Sequence, residues 1–122
     1  MLELWDDVLA LPIVGLVDTQ RSAEMTERLL AEVARGRWQH VIVDLTGVEL
    51  IDTSTADRFL KLARGVQLLG ARCIVTGIQP GVARTLVELG VDFGALETHR
   101  SLKNALEVCI RRSAEARAAT RG

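Results

Sequence analysis

The chain has 122 residues, 48% of them apolar, which is enough for one compact domain with its own hydrophobic core. Its 15 lysines and arginines nearly balance its 16 aspartates and glutamates, and the formal net charge is −1 at pH 7. This balance gives no electrostatic basis for binding nucleic acid or an acidic lipid surface, so a protein or small-molecule partner is favoured.

No segment of the sequence has the pattern of a membrane span or a secretion signal. Asp or Arg interrupts every long apolar stretch before it reaches the roughly 18 residues that cross a bilayer. The N-terminus carries Glu3, Asp6 and Asp7 where a secretion signal would be positively charged. We therefore expect a cytoplasmic protein with no membrane partner.

Strand and helix patterns alternate through most of the chain, which predicts an α/β domain with a sheet of about four or five strands. The predicted strands lie at 2–5 (an edge strand), 8–17 (bent or bulged near Pro12), 40–45, 72–76 and, briefly, near 93–98. Four helices are predicted between and after them. The first is capped by Asp18 and Thr19 and ended by Gly36, the second runs from Thr53 or Ser54 to Gly70, the third from Gln79-Pro80-Gly81 to Gly90, and the last is capped by Ser101. The third helix is predicted to direct Val82, Ala83, Leu86 and Val87 inward.

The end of the chain differs in composition from the rest. After Ile110 the sequence loses its large hydrophobic residues and becomes rich in arginine and alanine. This segment is either a solvated extension of the last helix or disordered. We therefore divide the chain into a domain at 1–110 and a charged C-terminal tail at 111–122.

Thr53 is the candidate switch residue. It follows a buried strand and a short connection, in a cluster of hydroxyls that opens a helix. The first turn of a helix has unpaired N–H groups and partial positive charge, so a phosphoryl group is well tolerated there. The alternative is that these hydroxyls only cap the helix, since Ser54 and Asp57 have the spacing of a capping box. The functional interpretation requires Thr53 to be exposed while Ser54 provides the cap.

Two carboxylates are expected beside this hydroxyl. Asp18 and Asp52 each stand where a strand leads into a helix, and in open α/β folds such positions gather along one edge of the sheet. Near a hydroxyl, the pair is suited to hold the metal of a bound kinase or to orient the nucleophile. The alternative is that each carboxylate simply caps its helix or interacts with the helix dipole.

The sequence offers no recognisable enzyme site. His40 lies at a strand entrance and His99 in a late connection, and neither accompanies a nucleophile, phosphate-loop or dinucleotide motif. Cys73 and Cys109 lie within apolar runs and predict buried thiols. We predict no catalytic residue, no metal and no cofactor; an enzyme would need a deep polar pocket near one of the histidines.

A receiver domain phosphorylated on aspartate is an alternative, because Asp44 closes one buried strand and Thr76 the next. Such a domain also needs an acidic pair after its first strand and a late lysine at a strand end. Only Asp18 stands at the first place, and Lys103 lies inside the last helix. These departures disfavour a receiver.

Several segments, taken in order, resemble the STAS domain of anti-sigma factor antagonists, and within that family the stressosome proteins RsbR and RsbS. The resemblance covers about residues 4–110. Its carriers are Leu11-Pro12-Ile13-Val14-Gly15, Val17-Asp18-Thr19, Val43-Asp44-Leu45-Thr46-Gly47-Val48, Ile51-Asp52-Thr53, Leu69-Gly70-Ala71, Thr76-Gly77-Ile78-Gln79-Pro80 and Leu89-Gly90-Val91.

The resemblance implies a mixed sheet backed by helices, no catalysis, and a hydroxyl that a switch-type serine/threonine kinase phosphorylates. That hydroxyl maps to Thr53, and a second phosphorylated threonine of the RsbR type maps to Thr85. The threonine at 53 resembles RsbR, whereas residues 76–90 are equally close to RsbS. RsbR proteins also carry an N-terminal sensor domain, so we expect either an isolated C-terminal domain or a stand-alone paralogue.

These observations lead to one hypothesis and one alternative. The surface formed by Asp18, Asp52, Thr53 and Ser54 would dock a switch kinase or another STAS protein of a stressosome, and phosphorylation would release it. In the alternative, the chain is a structural unit that forms homodimers or larger assemblies, and its phosphorylation is incidental.

Overall fold

The structure, a computed structural model, describes residues 1–14, 19–90 and 96–121. The elements in these ranges are β1 (Leu2–Trp5), β2 (Val8–Val14), α1 (Thr19–Val33), β3 (His40–Gly47), α2 (Thr53–Leu68), β4 (Arg72–Thr76), α3 (Pro80–Glu88), β5 (Glu97–His99) and α4 (Leu102–Arg121). The predicted α/β class and the number of strands and helices are confirmed.

The strands form one mixed sheet whose spatial order equals the chain order, β1-β2-β3-β4-β5. β1 and β2 are antiparallel, whereas each later pair of neighbours is parallel. A parallel pair requires a long crossover, and α1 and α2 lie in the first two crossovers. The register of β2 against β3 shifts between Pro12 and Val14, which confirms the irregularity predicted near Pro12.

Different helices cover the two faces of the sheet. On one face, Leu29 of α1, Leu62 of α2 and Leu86 of α3 join a core with alternate strand residues. On the other face, α4 covers a smaller core formed by Val8, Ala10, Ile42, Ile74, Ala105 and Cys109. Burying a leucine or isoleucine side chain contributes about 1.5–3 kcal/mol, so both layers hold the sheet. The double cover explains why the central strands are apolar without alternation.

Each core contains one cysteine, as predicted for buried thiols. Cys73 lies in β4 and Cys109 in α4. Burial raises the pKa of the Cys73 thiol to about 12 and that of Cys109 to about 11. Both thiols are protonated at neutral pH and pack as small apolar groups.

The prediction that Val87 faces inward is wrong. Val82 and Leu86 are buried as expected, and Ala83 is half-buried, but Val87 is 62% exposed. One residue turns a helix by about 100°, so Val87 points away from the sheet that Leu86 contacts. A helix of nine residues lying on a sheet buries only a narrow stripe.

Two predicted strands differ in length from the observed ones. The strand predicted at 8–17 ends at Val14, and residues 15–18, including Asp18, lie outside the described ranges. The brief strand predicted near 93–98 is realised as Glu97–His99, and residues 91–95 again lie outside those ranges. The second helix begins at Thr53, one of the two starts that the pattern allowed.

Of the two alternatives for residues 111–122, the structure shows the helical one, because α4 continues to Arg121. The Ser101 hydroxyl caps its start by accepting from Asn104 N–H at 3.1 Å, as predicted. Beyond Ile110, Arg112 Nη1 donates to Glu97 Oε1 at 3.0 Å, and Ser113 Oγ donates to Asp7 Oδ2 at 2.7 Å. The segment is therefore attached to the sheet. No helix in the described part of the chain combines the length and apolarity needed to cross a bilayer.

Candidate functional site

The start of α2 lies at the sheet edge where the parallel strands end. β3 ends at Gly47 and a short connection leads to Thr53, the first residue of α2. Parallel strands place their C-terminal ends along one edge, which is where open α/β folds bind their ligands and partners. Val48 and Ile51 of the connection are buried, so the helix start is held firmly against the core.

Asp52, rather than Ser54, caps α2. Asp52 has extended backbone angles, φ −82° and ψ 169°, and its Oδ1 accepts from Thr55 N–H at 2.7 Å. This bond lowers the pKa of the Asp52 carboxyl. The cap predicted at Ser54 is wrong, because Ser54 already lies within the first helical turn and is exposed. Asp57, its predicted capping-box partner, instead pairs with Lys61 at 2.9 Å.

With Asp52 as the cap, the Thr53 hydroxyl has no capping role. Thr53 is exposed, and its side chain makes no hydrogen bond with any residue that the structure describes. The predicted exposure of Thr53 is confirmed, although a different residue caps the helix. The exposed group formed by Asp52, Thr53 and Ser54 is therefore contiguous; Asp18, the fourth predicted member, lies outside the described residues.

Sequence reasoning missed an apolar neighbour of this group. Leu50 is 71% exposed, two residues before Asp52, while Val48 and Ile51 on either side of it are buried. The connection anchors these two residues in the core and turns Leu50 outward. The signal was available in the chain, because three hydrophobic residues within four positions cannot all face inward from a short connection.

Thr85 lies close to the same connection, in α3. Its Oγ1 is 3.1 Å from Ile51 O and 3.2 Å from Gly81 O, so its single hydroxyl hydrogen is shared between two carbonyls. A Cβ on Gly81 would come 2.5 Å from Glu49 O, which shows how closely α3 approaches the connection. Thr85 is half-buried, and unlike the Thr53 hydroxyl its hydroxyl is engaged.

Asp44 braces the neighbouring strand ends. Its Oδ1 accepts from Thr76 Oγ1 at 2.6 Å and from Thr46 Oγ1 at 2.9 Å. Gln79 Nε2 donates to Thr46 O at 3.0 Å and ties the start of α3 to the same turn. The carboxylate that a receiver would phosphorylate is here used to join β3 to β4. Across the described residues, no cluster of three or more His, Cys, Asp or Glu side chains is arranged to hold a metal ion.

The two histidines occupy the opposite end of the sheet and its last strand. His99 Nε2 lies 2.9 Å from Glu97 Oε2. His40 is 5% exposed and lines a polar cleft of about 800 Å³. Burial is the main cause that lowers the pKa of His40 below its ordinary value of 6.5. A cleft near His40 was the feature that an enzyme would require, but no nucleophile motif accompanies it.

A profile of the STAS domain family matches residues 1–105. Two Bacillus subtilis proteins described as RsbT co-antagonists are similar to the chain: RsbRA is 33% identical over 110 residues and RsbRB 38% identical over 96 residues. These matches cover 90% and 79% of this chain but 40% and 35% of the relatives. The chain therefore spans well under half the length of these relatives.

Two solved structures share the fold at 26% identity. RsbS of Moorella thermoacetica, in a variant form, gives a TM-score of 0.79 over 90% of this chain and 93% of its own. A chain from a structure of the stressosome, described as a signal integration and transduction hub, gives a TM-score of 0.78 and covers 89% of this chain and 95% of its own length.

Proposed function

The chain belongs to the STAS domain family, and from that premise we propose that it is a phosphorylation-controlled protein-binding module switched at Thr53. One observation carries the proposal: the Thr53 hydroxyl, at the first helical residue, is exposed and bonds to no residue that the structure describes, while the adjacent Asp52 provides the cap. The hydroxyl is therefore accessible to a kinase without loss of a bond that holds the fold.

The fold would tolerate the phosphate, whereas a docked partner would not. A phosphoryl group adds about −1.5 to −2 charges, and the unpaired N–H groups and the dipole of α2 favour negative charge at Thr53. Repulsion from a partner carboxylate docked roughly 4 Å away is about 1–4 kcal/mol per unit charge. About 1.4 kcal/mol changes an equilibrium tenfold, so one modification is sufficient to release the partner.

The proposed docking surface combines charge with an apolar contact. Asp52, Thr53 and Ser54 supply its polar part, with Asp18 as the predicted fourth member, and Leu50 supplies exposed apolar area beside them. Interfaces of moderate affinity commonly surround one apolar anchor with a polar rim. Leu50 would be that anchor.

Thr85 is proposed as a second modification site that acts on the first. Phosphorylation of its hydroxyl would replace the hydrogen bond to Ile51 O and place charge beneath the connection that leads to Asp52. Because Thr85 is half-buried, α3 would have to move away from the connection before a kinase could reach it. The expected result is a displaced α2 start and a weakened docking surface.

The proposed partners follow from the relatives. Because RsbRA and RsbRB are described as RsbT co-antagonists, and a similar structure belongs to the stressosome, we propose a switch-type serine/threonine kinase and other STAS proteins as partners. Assembly as a homodimer or larger unit in the cytoplasm is part of the same proposal. No catalytic residue or cofactor is assigned to the module.

The test compares Thr53→Ala with the matched control Ser54→Ala, which alters the exposed neighbour. Each protein is incubated with a switch kinase from the same genome and ATP, and phosphopeptides are mapped by mass spectrometry. We expect wild type and Ser54→Ala to carry phosphate at Thr53, and Thr53→Ala to carry none on that peptide. Thr53→Ala should retain wild-type stability within about 0.5 kcal/mol, because the removed side chain is exposed and forms no hydrogen bond within the described ranges.

Partner release is measured in the same experiment. Wild type bound to the partner should dissociate after phosphorylation, while Thr53→Ala should stay bound. Phosphate mapped to Ser54 in the wild type, or release of Thr53→Ala under the same conditions, would show that the switch lies elsewhere.

A purely structural role is the second candidate, and the exposed edge strand favours it. β1 is an outer strand of the sheet, with Leu2 52% and Trp5 43% exposed. An uncovered edge with apolar side chains is suited to self-association. Light scattering before and after phosphorylation separates the candidates: an assembly unit keeps both its size and its partners when Thr53 is modified.

A further inference from the structure

A second polar site lies at the end of the sheet opposite Thr53. The cleft of about 800 Å³ opens between the N-terminal ends of β3 and β4 and the second half of α4. Its volume lies within the range of sites that bind small molecules. Half of its wall, from Arg112 to Arg117, follows residue 105, where the family match ends. Half of the cleft wall therefore comes from the part of α4 that lies beyond the family match.

The register of the sheet brings three polar residues together in the cleft. Val8 of β2 is aligned with His40 of β3, and His40 is aligned with Arg72 of β4. Asp7 directly precedes Val8, and its carbonyl accepts from His40 N–H at 3.1 Å. Neighbouring strands are about 4.8 Å apart, so Asp7, His40 and Arg72 form a row across the base of the cleft.

Two atoms in this row are buried without a hydrogen-bond partner among the described residues: Asp7 Oδ1 and His40 Nδ1. The other oxygen of Asp7 accepts from Ser113 Oγ, so the carboxylate is held in place while Oδ1 is left free. Unpartnered buried polar atoms are rare in native proteins. Both atoms belong to residues that line one cleft, which points to a group that donates hydrogen bonds to them.

Some charged side chains around the cleft form ion pairs within the described ranges, and others do not. Arg112 pairs with Glu97 at 3.0 Å and Arg117 with Asp6 at 3.6 Å. Arg72, by contrast, forms no ion pair within the described ranges, and neither does Glu115 on α4. Once the internal pairs are formed, one guanidinium and the carboxylates of Asp7 and Glu115 remain to interact with a ligand.

We propose that this cleft binds a small zwitterion, with its carboxylate on Arg72 and its protonated amine on Asp7 Oδ1 and His40 Nδ1. A guanidinium binds a carboxylate with two parallel hydrogen bonds, and an ammonium group carries three donors for the two free acceptors. A purely anionic ligand would bind Arg72 but would be repelled by Asp7 and Glu115. A simple cation would leave Arg72 unused.

The protonation of His40 agrees with this assignment. Burial, followed by the positive Arg112 and Arg72, lowers the pKa of His40, while Asp7 and Glu97 act against them. The ring is therefore neutral at pH 7, and one of its nitrogens is available as an acceptor. An amine that donates to Nδ1 would select the tautomer with its proton on Nε2.

The test is an NMR titration of the ¹⁵N-labelled chain with two zwitterions, 4-aminobutyrate and 6-aminohexanoate, and with the matched single-charge probes hexanoate and hexylamine. We expect saturable shifts of the Gly70 and Ala116 amides, which line the cleft, with at least one zwitterion. Each single-charge probe should bind at least about tenfold more weakly, because it satisfies only one half of the site.

Variants identify which end of the ligand each residue contacts. Arg72→Gln should weaken the zwitterion and hexanoate but not hexylamine, and Asp7→Asn should weaken the zwitterion and hexylamine but not hexanoate. Arg111→Gln, an exposed α4 arginine outside the cleft, is the control and should bind as wild type. If Asp7→Asn does not fold, Glu115→Gln tests the amine end from the exposed wall.

The proposal is overturned by any of three results. These are the absence of saturable shifts with both zwitterions at about 10 mM, where millimolar binding would still register; equal binding of hexanoate and the zwitterions; or an Arg72→Gln variant that binds as tightly as Arg111→Gln.

Discussion

Neighbouring residues at the start of α2 have separate roles. The Asp52 carboxylate caps the N-terminus of α2, whereas Thr53, one position later, is exposed to solvent. In the proposed switch, this separation would let Thr53 be modified without loss of the capping hydrogen bond. At the opposite end of β3, His40 is similarly distinct from its surroundings, as a buried imidazole among charged side chains.

We expect Asp52→Ala to lower the melting temperature by several degrees, because the Thr55 N–H loses its acceptor. The lowered pKa of Asp52 means that its stabilisation is present above the ordinary value of 3.8 and is lost as pH falls through the folded-state pKa. The difference in melting temperature between wild type and Asp52→Ala should therefore become smaller below about pH 4. Thermal unfolding at pH 7 and pH 3 measures it, with the exposed Asp57→Ala as control. An equal deficit at both pH values would contradict this account of the cap.

His40 should make the stability of the fold dependent on pH in a higher range. Because its folded-state pKa is lowered, the unfolded chain takes up a proton first, and stability falls as pH drops below 6.5. The charged groups facing the ring are Asp7, Arg72, Glu97 and Arg112. Urea unfolding at pH 8 and pH 5.5 should show a decline for wild type that is smaller in His40→Gln. If both proteins decline equally, another group is responsible.

At the scale of elements, α3 packs against the connection that leads to Thr53, the proposed switch residue. Thr85 and Gly81 of α3 contact residues 49–51, and Gln79 bonds the turn after β3. Gly77, which leads into this helix, has φ +67° and lies against Thr46, so a Cβ there would come 2.8 Å from Thr46 N. The ends of β3 and β4 and the start of α3 therefore form one closely packed unit beneath Thr53.

Gly77→Ala should destabilise the fold through both backbone strain and steric overlap. Gly36 is a matched control, because its φ is +82° but no described atom lies within 4 Å of a Cβ built on it. We expect Gly36→Ala to cost about 1 kcal/mol from strain alone and Gly77→Ala about 2–3 kcal/mol or more. Chemical denaturation measures both. Equal losses would mean that the contact with Thr46 relaxes freely.

At the scale of the whole molecule, α4 joins distant parts of the chain. It covers one face of the sheet, and its second half bonds to the turn before β2 through Ser113 and Asp7, which are 106 residues apart. The same helix forms half of the wall of the polar cleft, while Thr53, the proposed switch residue, lies at the far end of the sheet. The start of α2 and the cleft are therefore two separate surfaces, for which we propose a protein partner and a small ligand respectively.

Ser113→Ala tests whether the second half of α4 is part of the fold. Removing the hydroxyl leaves the second oxygen of the Asp7 carboxylate without its donor, at an expected cost of about 1–3 kcal/mol. Arg111→Gln, on the exposed side of the same turn, should stay within about 0.5 kcal/mol of wild type. Denaturant unfolding compares the two. A neutral Ser113→Ala would support the boundary predicted at residue 110.

Local patterns in the sequence determined the order of elements and the candidate switch. Continuous apolar runs marked the central strands because both sheet faces are covered, and the hydroxyl cluster after Ile51 marked the start of α2. The resemblance to the STAS family was also readable, because its motifs are short and contiguous. These features depend on residues only a few positions apart, which periodicity and turn chemistry report directly.

Only the tertiary structure decided which side chains meet. It assigned the cap to Asp52, turned Val87 to solvent, engaged Thr85 with Ile51 and made the last helix one wall of a cleft. The spacing of hydrophobic residues predicts which side chains face inward, but it does not predict which residues they contact. Asp7, His40, Arg72 and Ser113 come together through strand register and helix packing, and that physical information is distributed over the whole chain.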